Sequence, residues 1–182
     1  MILTTERMIL RPFEEKDEEA VHNYAGNPDN VVYMIWGPNT KEQTKQFIQD
    51  TKKNWEKESV TNYDFGIVLK ETGELIGGCG IYLNDTRKEG MLGWILHKDY
   101  WKKGLMPEVA MELIRFGFDE LQLHRIYATC NAANYGSYRV MEKCGMQKEA
   151  HFRKNRYGRD GSEDIWYDEF YYAILDEEWA AR

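Results

Sequence analysis

The segment YWKKGLMPE at residues 100–108 constrains this chain more than any other. It follows a strand-like run, Gly93-Trp94-Ile95-Leu96, and opens a helical run that begins near Met106. Strand, basic glycine-containing turn and helix, in that order, make an anion site. The first turn of a helix leaves backbone N–H groups without partners, and the helix dipole adds positive potential at the same place. Gly104 permits φ values closed to other residues and lets a ligand approach the backbone, Lys102 and Lys103 add charge, and Pro107 falls where a first turn tolerates proline. The spacing matches neither GxxxxGK[ST] nor GxGxxG, so the anion is not held by a nucleotide P-loop or a dinucleotide fingerprint. Taken alone, the turn also reads as a solvent-exposed loop with two lysines, and its neighbours must decide.

A chain of 182 residues suits one domain, 1–182, with a core of good size. A net charge of -7 and a pI near 5.2 argue against a nucleic-acid partner, which needs a basic face. The start, MILTTERMIL, is too short and too charged for a signal peptide, and no run approaches the roughly eighteen apolar residues of a membrane span. A cytoplasmic protein with no membrane partner is expected. Cys79, Cys130 and Cys144 lack CxxC spacing and the histidines form no ligand pair, so neither a disulfide framework nor a metal site is expected.

Along the chain, the alternation in residues 1–11 predicts a strand or hairpin arm, and EEKDEEAVHNY predicts an acid-led helix. Thr40 caps a charged amphipathic helix reaching about Lys57. Strands are predicted at 63–69, 75–83 and 91–96 as an antiparallel meander, with Gly77, Gly78 and Gly80 marking a bulge or a close approach. The long helix is expected from Met106 to about Leu121, then a strand at 125–130, a helix at 134–143 closed by Gly145, and strands at 147–154 and 165–174. The result is an α/β fold with a mixed sheet. One parallel pair is expected where the long helix crosses from 91–96 to 125–130.

The order of elements, the run WILHKDYWKKGLMPEVA, the segment LHRIYATCNAANYGSYRVMEKCGM and the closing Gly161 to Asp164 pattern resemble the GNAT N-acetyltransferases, closest to the branch that acetylates ribosomal-protein N-termini. The resemblance covers nearly the whole chain. It implies a mostly antiparallel sheet whose central parallel pair splays apart, flanking helices, and acetyl-CoA as donor. The pyrophosphate is then expected on the backbone of Lys102, Lys103, Gly104, Leu105 and Met106. Pantetheine is expected along Trp94, Ile95 and Leu96 like an added strand, with Asn134 donating to it or serving as helix cap. Three departures stand out: Met106 where many members have Ala or Gly, which crowds the turn, Met141 where many have a tyrosine acid, and Met91 where many have a glutamate.

Acetyl transfer from a thioester needs a neutral amine, oxyanion stabilisation and a proton for the leaving sulfur. A backbone N–H near Ile95 or Leu96 suits the oxyanion. The resemblance puts the acid at Ser137, which otherwise is a local hydrogen-bonder in a first turn. Asp164, with Glu163 beside it, is the base placed by the fold, unless a water chain serves. Cys130 and Cys144 read as packing rather than as acyl carriers. The acidic stretch from Asp160 onward, including Asp168 and Glu169, is expected to steer a cationic amine, while Lys154 and Arg156 complicate that field. The acceptor is expected to be a primary amine, either a peptide N-terminus or a small polyamine. The alternative is a silent acyl-CoA sensor, and a homodimer is left open.

Overall fold

The computed structural model describes residues 1–158 and 165–182. A short hairpin opens the chain, β1 (Leu3–Thr4) and β2 (Met8–Arg11). After a 3-10 turn come α1 (Glu18–Ala25) and α2 (Lys41–Trp55). Thr40 caps α2 as its sequence predicts, its hydroxyl accepting from Gln43 N–H while Gln43 reaches back to the Thr40 N–H. The meander follows as β3 (Asn62–Leu69), β4 (Leu75–Leu83) and β5 (Glu89–Leu96). Then come α3 (Leu105–Arg115), β6 (Arg125–Asn131), α4 (Tyr135–Lys143), β7 (Gln147–Tyr157), β8 (Trp166–Leu175) and α5 (Asp176–Ala180).

The eight strands form one sheet in the order β1-β2-β3-β4-β5-β6-β8-β7. Its only parallel ladder among the described residues joins β5 to β6, as the crossover through α3 requires. The glycine-rich strand does carry a bulge: Ile67 pairs with Gly77 but Val68 with Leu75, leaving Ile76 as the extra residue. The predicted long helix changes character along its length. The long helix is α-helical only to Arg115 and continues as a π-helical turn over Phe116–Glu120. The short α5 is additional to the predicted elements.

Alternation along β3 sorts the two faces of the sheet. Phe65 and Ile67 join Ile81, Leu92, Val109, Leu113, Phe116, Ile126, Met141 and Ile174 in the main core. On the opposite face, Phe13, Val21, Tyr24, Ala25 and Ile48 form a smaller cluster under α1 and α2. Beyond Gly66, β3 has no neighbour on its β2 side, because β2 pairs only with 66–69. Trp55 wraps that free edge and donates its indole N–H to the Asp64 carbonyl at 3.0 Å.

Candidate active site

The parallel ladder between β5 and β6 spans only Glu89–Arg125, Gly90–Ile126 and Met91–Tyr127. Beyond it β5 continues against β4 as far as Leu96, and β6 continues against β8 as far as Asn131. The sheet therefore opens between two strands that each keep their outer partner. Backbone groups along the opening of β5, around Trp94 and Ile95, are placed to pair with an extended ligand as a strand would. Leu96 closes the opening. Its carbonyl accepts from Trp101 Nε1 at 2.7 Å and from Asn30 Nδ2 at 3.0 Å, and the buried Asn30 also accepts from Lys98 N–H at 2.7 Å. A residue from the segment after α1 thus fixes where the donor-side turn begins.

The turn itself has two left-handed residues, Lys102 at φ 61° and Gly104 at φ 72°. Gly104 caps α3, and no backbone N–H from Lys102 to Met106 has an acceptor among the described residues. A Cβ at Gly104 would meet only the Arg7 guanidinium, at 3.8 Å, so the space over the turn is open. Here a cradle of free N–H groups, a helix start and two exposed lysines coincide, which suits a pyrophosphate. Leu105 and Met106 are both buried in the core, so only their backbone faces the turn. The expected crowding by Met106 is therefore absent, because its side chain points away.

Arg7 holds this turn from the β1–β2 connection. Its Nη1 and Nη2 donate to the carbonyls of Lys103 and Gly104 at 3.2 and 3.0 Å, and its Nε and backbone N–H donate to Glu108 at 2.7 and 2.8 Å. Burial pushes the Glu108 carboxyl up, but the hydrogen bonds it accepts win and hold it below its usual range. A depression of about 400 Å³ lies alongside, lined by Glu6, Arg7, Leu69, Lys70, Glu71, Tyr100, Lys103 and Leu105. It flanks the turn and is separate from the opening between β5 and β6.

The start of α4 faces the other side of the opening. Asn134 is its N-cap, with Oδ1 accepting from Ser137 N–H at 3.1 Å, while its Nδ2 has no partner among the described residues. The buried Asn131 shapes the approach by accepting from Ala133 N–H at 2.9 Å. Ser137 is half-buried and its Oγ has no hydrogen bond among the described residues, so it is free to act. Met141 lies in the core and offers nothing to a ligand. The cysteines are free and buried. Burial pushes the Cys130 and Cys144 thiols each up to about 11 and the Cys79 thiol higher still. None is a thiolate near neutrality, as their packing role predicts.

Asp164 and Glu163 lie outside the described residues. The next two acids in the hairpin, Asp168 and Glu169, are both engaged. Asp168 accepts from Lys154 N–H at 3.0 Å and meets His151 at 2.6 Å, which together hold its carboxyl below the usual range. Glu169 is buried against Arg156, at 2.6 Å. Asp168 and Glu169 are thus each engaged within the hairpin rather than presented freely to a ligand. Sequence reasoning also misses Arg7, Asn30 and Glu108. Each acts across most of the chain's length and carries no local motif.

A sheet opened between parallel strands, beside a helix start with free N–H groups, is an arrangement suited to an extended phosphate-bearing donor such as an acyltransferase uses. The chain belongs to the GNAT acetyltransferases, since the family described as acetyltransferase (GNAT) domain matches residues 7–147. It is 39% identical over 180 residues to the uncharacterized N-acetyltransferase YnaD of Bacillus subtilis (strain 168), covering 98% of this chain and 99% of the relative. A crystal structure of a GNAT-family acetyltransferase from Bacillus anthracis superposes with a TM-score of 0.84 at 36% identity, covering 98% of this chain and 100% of that one. The ribosomal-protein-S5-alanine acetyltransferase from Vibrio fischeri shares the fold at 22% identity and a TM-score of 0.79, with 98% of each chain covered. The chain is thus an acetyltransferase, and enzymes of this family use acetyl-CoA. No helix among the described residues is long and apolar enough to cross a membrane.

Proposed function

We propose that the chain transfers the acetyl group of acetyl-CoA directly to a primary amine, with the N-terminal amine of a peptide preferred over a polyamine. The observation that carries the reading is the continuity of the opening in β5 with the free N–H groups from Lys102 to Met106. A pantetheine arm on Trp94 and Ile95 leads straight to a pyrophosphate on the turn. Asn134 Nδ2 is available to the arm from the opposite wall. The donor's diphosphate gains the helix dipole, Lys102 and Lys103, and the backbone it meets needs no rearrangement.

Direct attack follows from the cysteines, because no thiol near the cleft is ionised enough to carry the acetyl group. Ser137 is the proposed donor of a proton to the departing sulfur, since it stands at the cleft end of α4 with its hydroxyl uncommitted. Asp164, the base expected from the sequence, lies outside the described residues and is not placed by this reading. The preference for a peptide amine rests on the resemblance to the ribosomal-protein branch.

The test is thiol release from acetyl-CoA against a panel of peptides with free N-termini, polyamines and neutral amines, beside a thermal melt with acetyl-CoA. A raised Tm with turnover on the peptides supports the reading, as a ligand binding only the native state stabilises it by RT ln(1 + [L]/Kd). No shift in millimolar acetyl-CoA removes the donor assignment. Turnover confined to polyamines replaces the acceptor.

A further inference from the structure

Three carboxylates are buried among the described residues: Asp17 at 4% exposure, Asp64 at 7% and Glu169 at 6%. Two of them have a cation. Asp17 accepts from both terminal nitrogens of Arg11 at 2.7 and 2.8 Å and from Glu14 N–H. Glu169 accepts from Arg156 at 3.0 and 2.6 Å and from Asn155. Asp64 has only the Tyr82 hydroxyl, 2.8 Å from Oδ1, and its Oδ2 has no hydrogen bond among the described residues. A buried carboxylate without a countercharge is costly, and folds normally supply one.

The location of this unpaired acid is specific. Asp64 stands on β3 opposite Gly80, on the face of the sheet that carries α1 and α2. Tyr82 lies back over Gly80 to reach it, and the same ring covers Gly93 of β5, the strand whose free edge lines the cleft. Both glycines are needed for that placement: a Cβ would come within 2.8 Å of the Tyr82 hydroxyl at Gly80 and 3.1 Å of its ring at Gly93. The ionisable groups acting on the pair are Cys79 of β4 and Tyr24 of α1, and α2 contributes the Trp55 indole, which donates to the Asp64 backbone. No lysine, arginine or histidine among the described residues acts on Asp64. Burial pushes its carboxyl above the usual range, and the hydrogen bond from Tyr82 only partly opposes this.

Building on the amine-acetylation reading, we propose that Asp64 is the proton acceptor for the incoming ammonium, reached through the hydroxyl of Tyr82. The cation that the fold omits is the substrate's own. Tyr82 Oη takes a proton from the ammonium as it passes its own proton to Asp64. The neutral amine then forms the N–C bond at the thioester carbonyl, and the C–S bond breaks as the tetrahedral intermediate collapses. The proton still on the new amide nitrogen passes to the departing sulfur through Ser137. Asp64 finally returns its proton to water, so the products are the amide, free CoA thiol and one proton.

The test uses the full chain with Asp64→Asn and Tyr82→Phe, measuring kcat/KM against pH for a peptide amine, and Tm without ligand. Asp64→Asn should lower kcat/KM at pH 7 by about 100- to 10,000-fold, the usual share of a general base, with KM for acetyl-CoA unchanged. Its remaining activity should rise with pH in step with deprotonation of the free amine. Tyr82→Phe should lose most of the same activity. The folded state binds the Asp64 proton more tightly than the unfolded chain, so this group subtracts stability as pH rises through and beyond the ordinary aspartate range. Asp64→Asn should therefore raise Tm at neutral pH, whereas a merely structural acid would lower it. A kcat/KM within threefold of wild type, or a lowered Tm with loss of the acetyl-CoA shift, overturns the proposal. So does an acid limb that vanishes in Asp164→Asn and persists in Asp64→Asn. If wild type binds acetyl-CoA but acetylates no amine, the acceptor reading fails and the relay with it, whereas normal turnover by Asp64→Asn removes the relay alone.

Discussion

The two sides of the cleft are built on different principles. The proposed donor side is made of backbone: one continuous stretch of β5, the turn and the first residues of α3, with side chains such as Leu105 and Met106 turned into the core. The proposed acceptor side is made of side chains drawn from separate elements, with Asp64 on β3 and Tyr82 on β4 lying over a glycine gap on β5. A site made of backbone tolerates sequence change around it, which suits a donor common to a family. A site of converging side chains changes with single substitutions, which suits an acceptor that differs between members.

The strongest way to break this comparison is Gly104→Val. At φ 72° a β-branched residue is strained, and its side chain would stand in the open space over the turn. Calorimetric binding of acetyl-CoA should become undetectable while the unliganded protein stays folded. Retained binding would show that the donor does not use this backbone. Next in size, Ser137→Ala should lower kcat by about ten- to a thousandfold with little change in donor affinity, because a proton for the leaving sulfur matters mainly in the transition state. Unchanged turnover would leave Ser137 as a residue of the capped first turn only.

Arg7→Ala sharpens the comparison, since it removes the support behind the turn and leaves the cradle's own residues intact. A loss of about three- to tenfold in acetyl-CoA affinity is expected, the scale of one or two exposed hydrogen bonds, with no effect on acceptor preference. A change in acceptor preference would join the two sides that the comparison separates. Smallest is Thr40→Ala, expected to destabilise by about 1 kcal/mol through loss of the α2 cap and to leave donor binding alone. A chemical denaturation curve measures it. Acid titration gives a further contrast. Asp17 lies below its usual range because, against the cost of its burial, Arg11 and the Glu14 N–H hold the charged form. Its contribution is present above the ordinary aspartate range and is lost as pH falls through its lowered value, the reverse of Asp64.

The turn before α3 and the start of α4 were legible in the sequence because their rules are local. Gly104 before a helix, Pro107 in its first turn and Asn134 three residues before Ser137 each act within one turn of chain, and all fall where expected. Most of the fold was legible for the same reason, through alternation, caps and glycine stops. Asp64 was not. In Tyr63-Asp64-Phe65-Gly66 it occupies the polar phase of an alternating strand, which reads as solvent-facing until α1 and α2 cover that face. Arg7 with Glu108 and Asn30 with Leu96 escaped because nothing local marks a residue whose partner lies 101 or 66 positions away. The π-helical turn at Phe116 also breaks no sequence rule. At the acidic end composition counts charges but does not show that Asp168 and Glu169 are met by His151 and Arg156.

The clasp of Arg7 on Glu108 has a consequence for how the molecule is made. A growing chain emerges from its start, so the hairpin bearing Arg7 waits through the synthesis of about a hundred further residues before its partner exists. Contacts of such long separation form late, since loop-closure entropy must be met before they contribute. The clasp on the turn therefore cannot form until α3 has been made, and a nascent chain cut short before α3 lacks the helix start proposed to seat acetyl-CoA. Donor capture on ribosome-bound chains of increasing length should switch on only after α3, β6 and the start of α4 have left the exit tunnel.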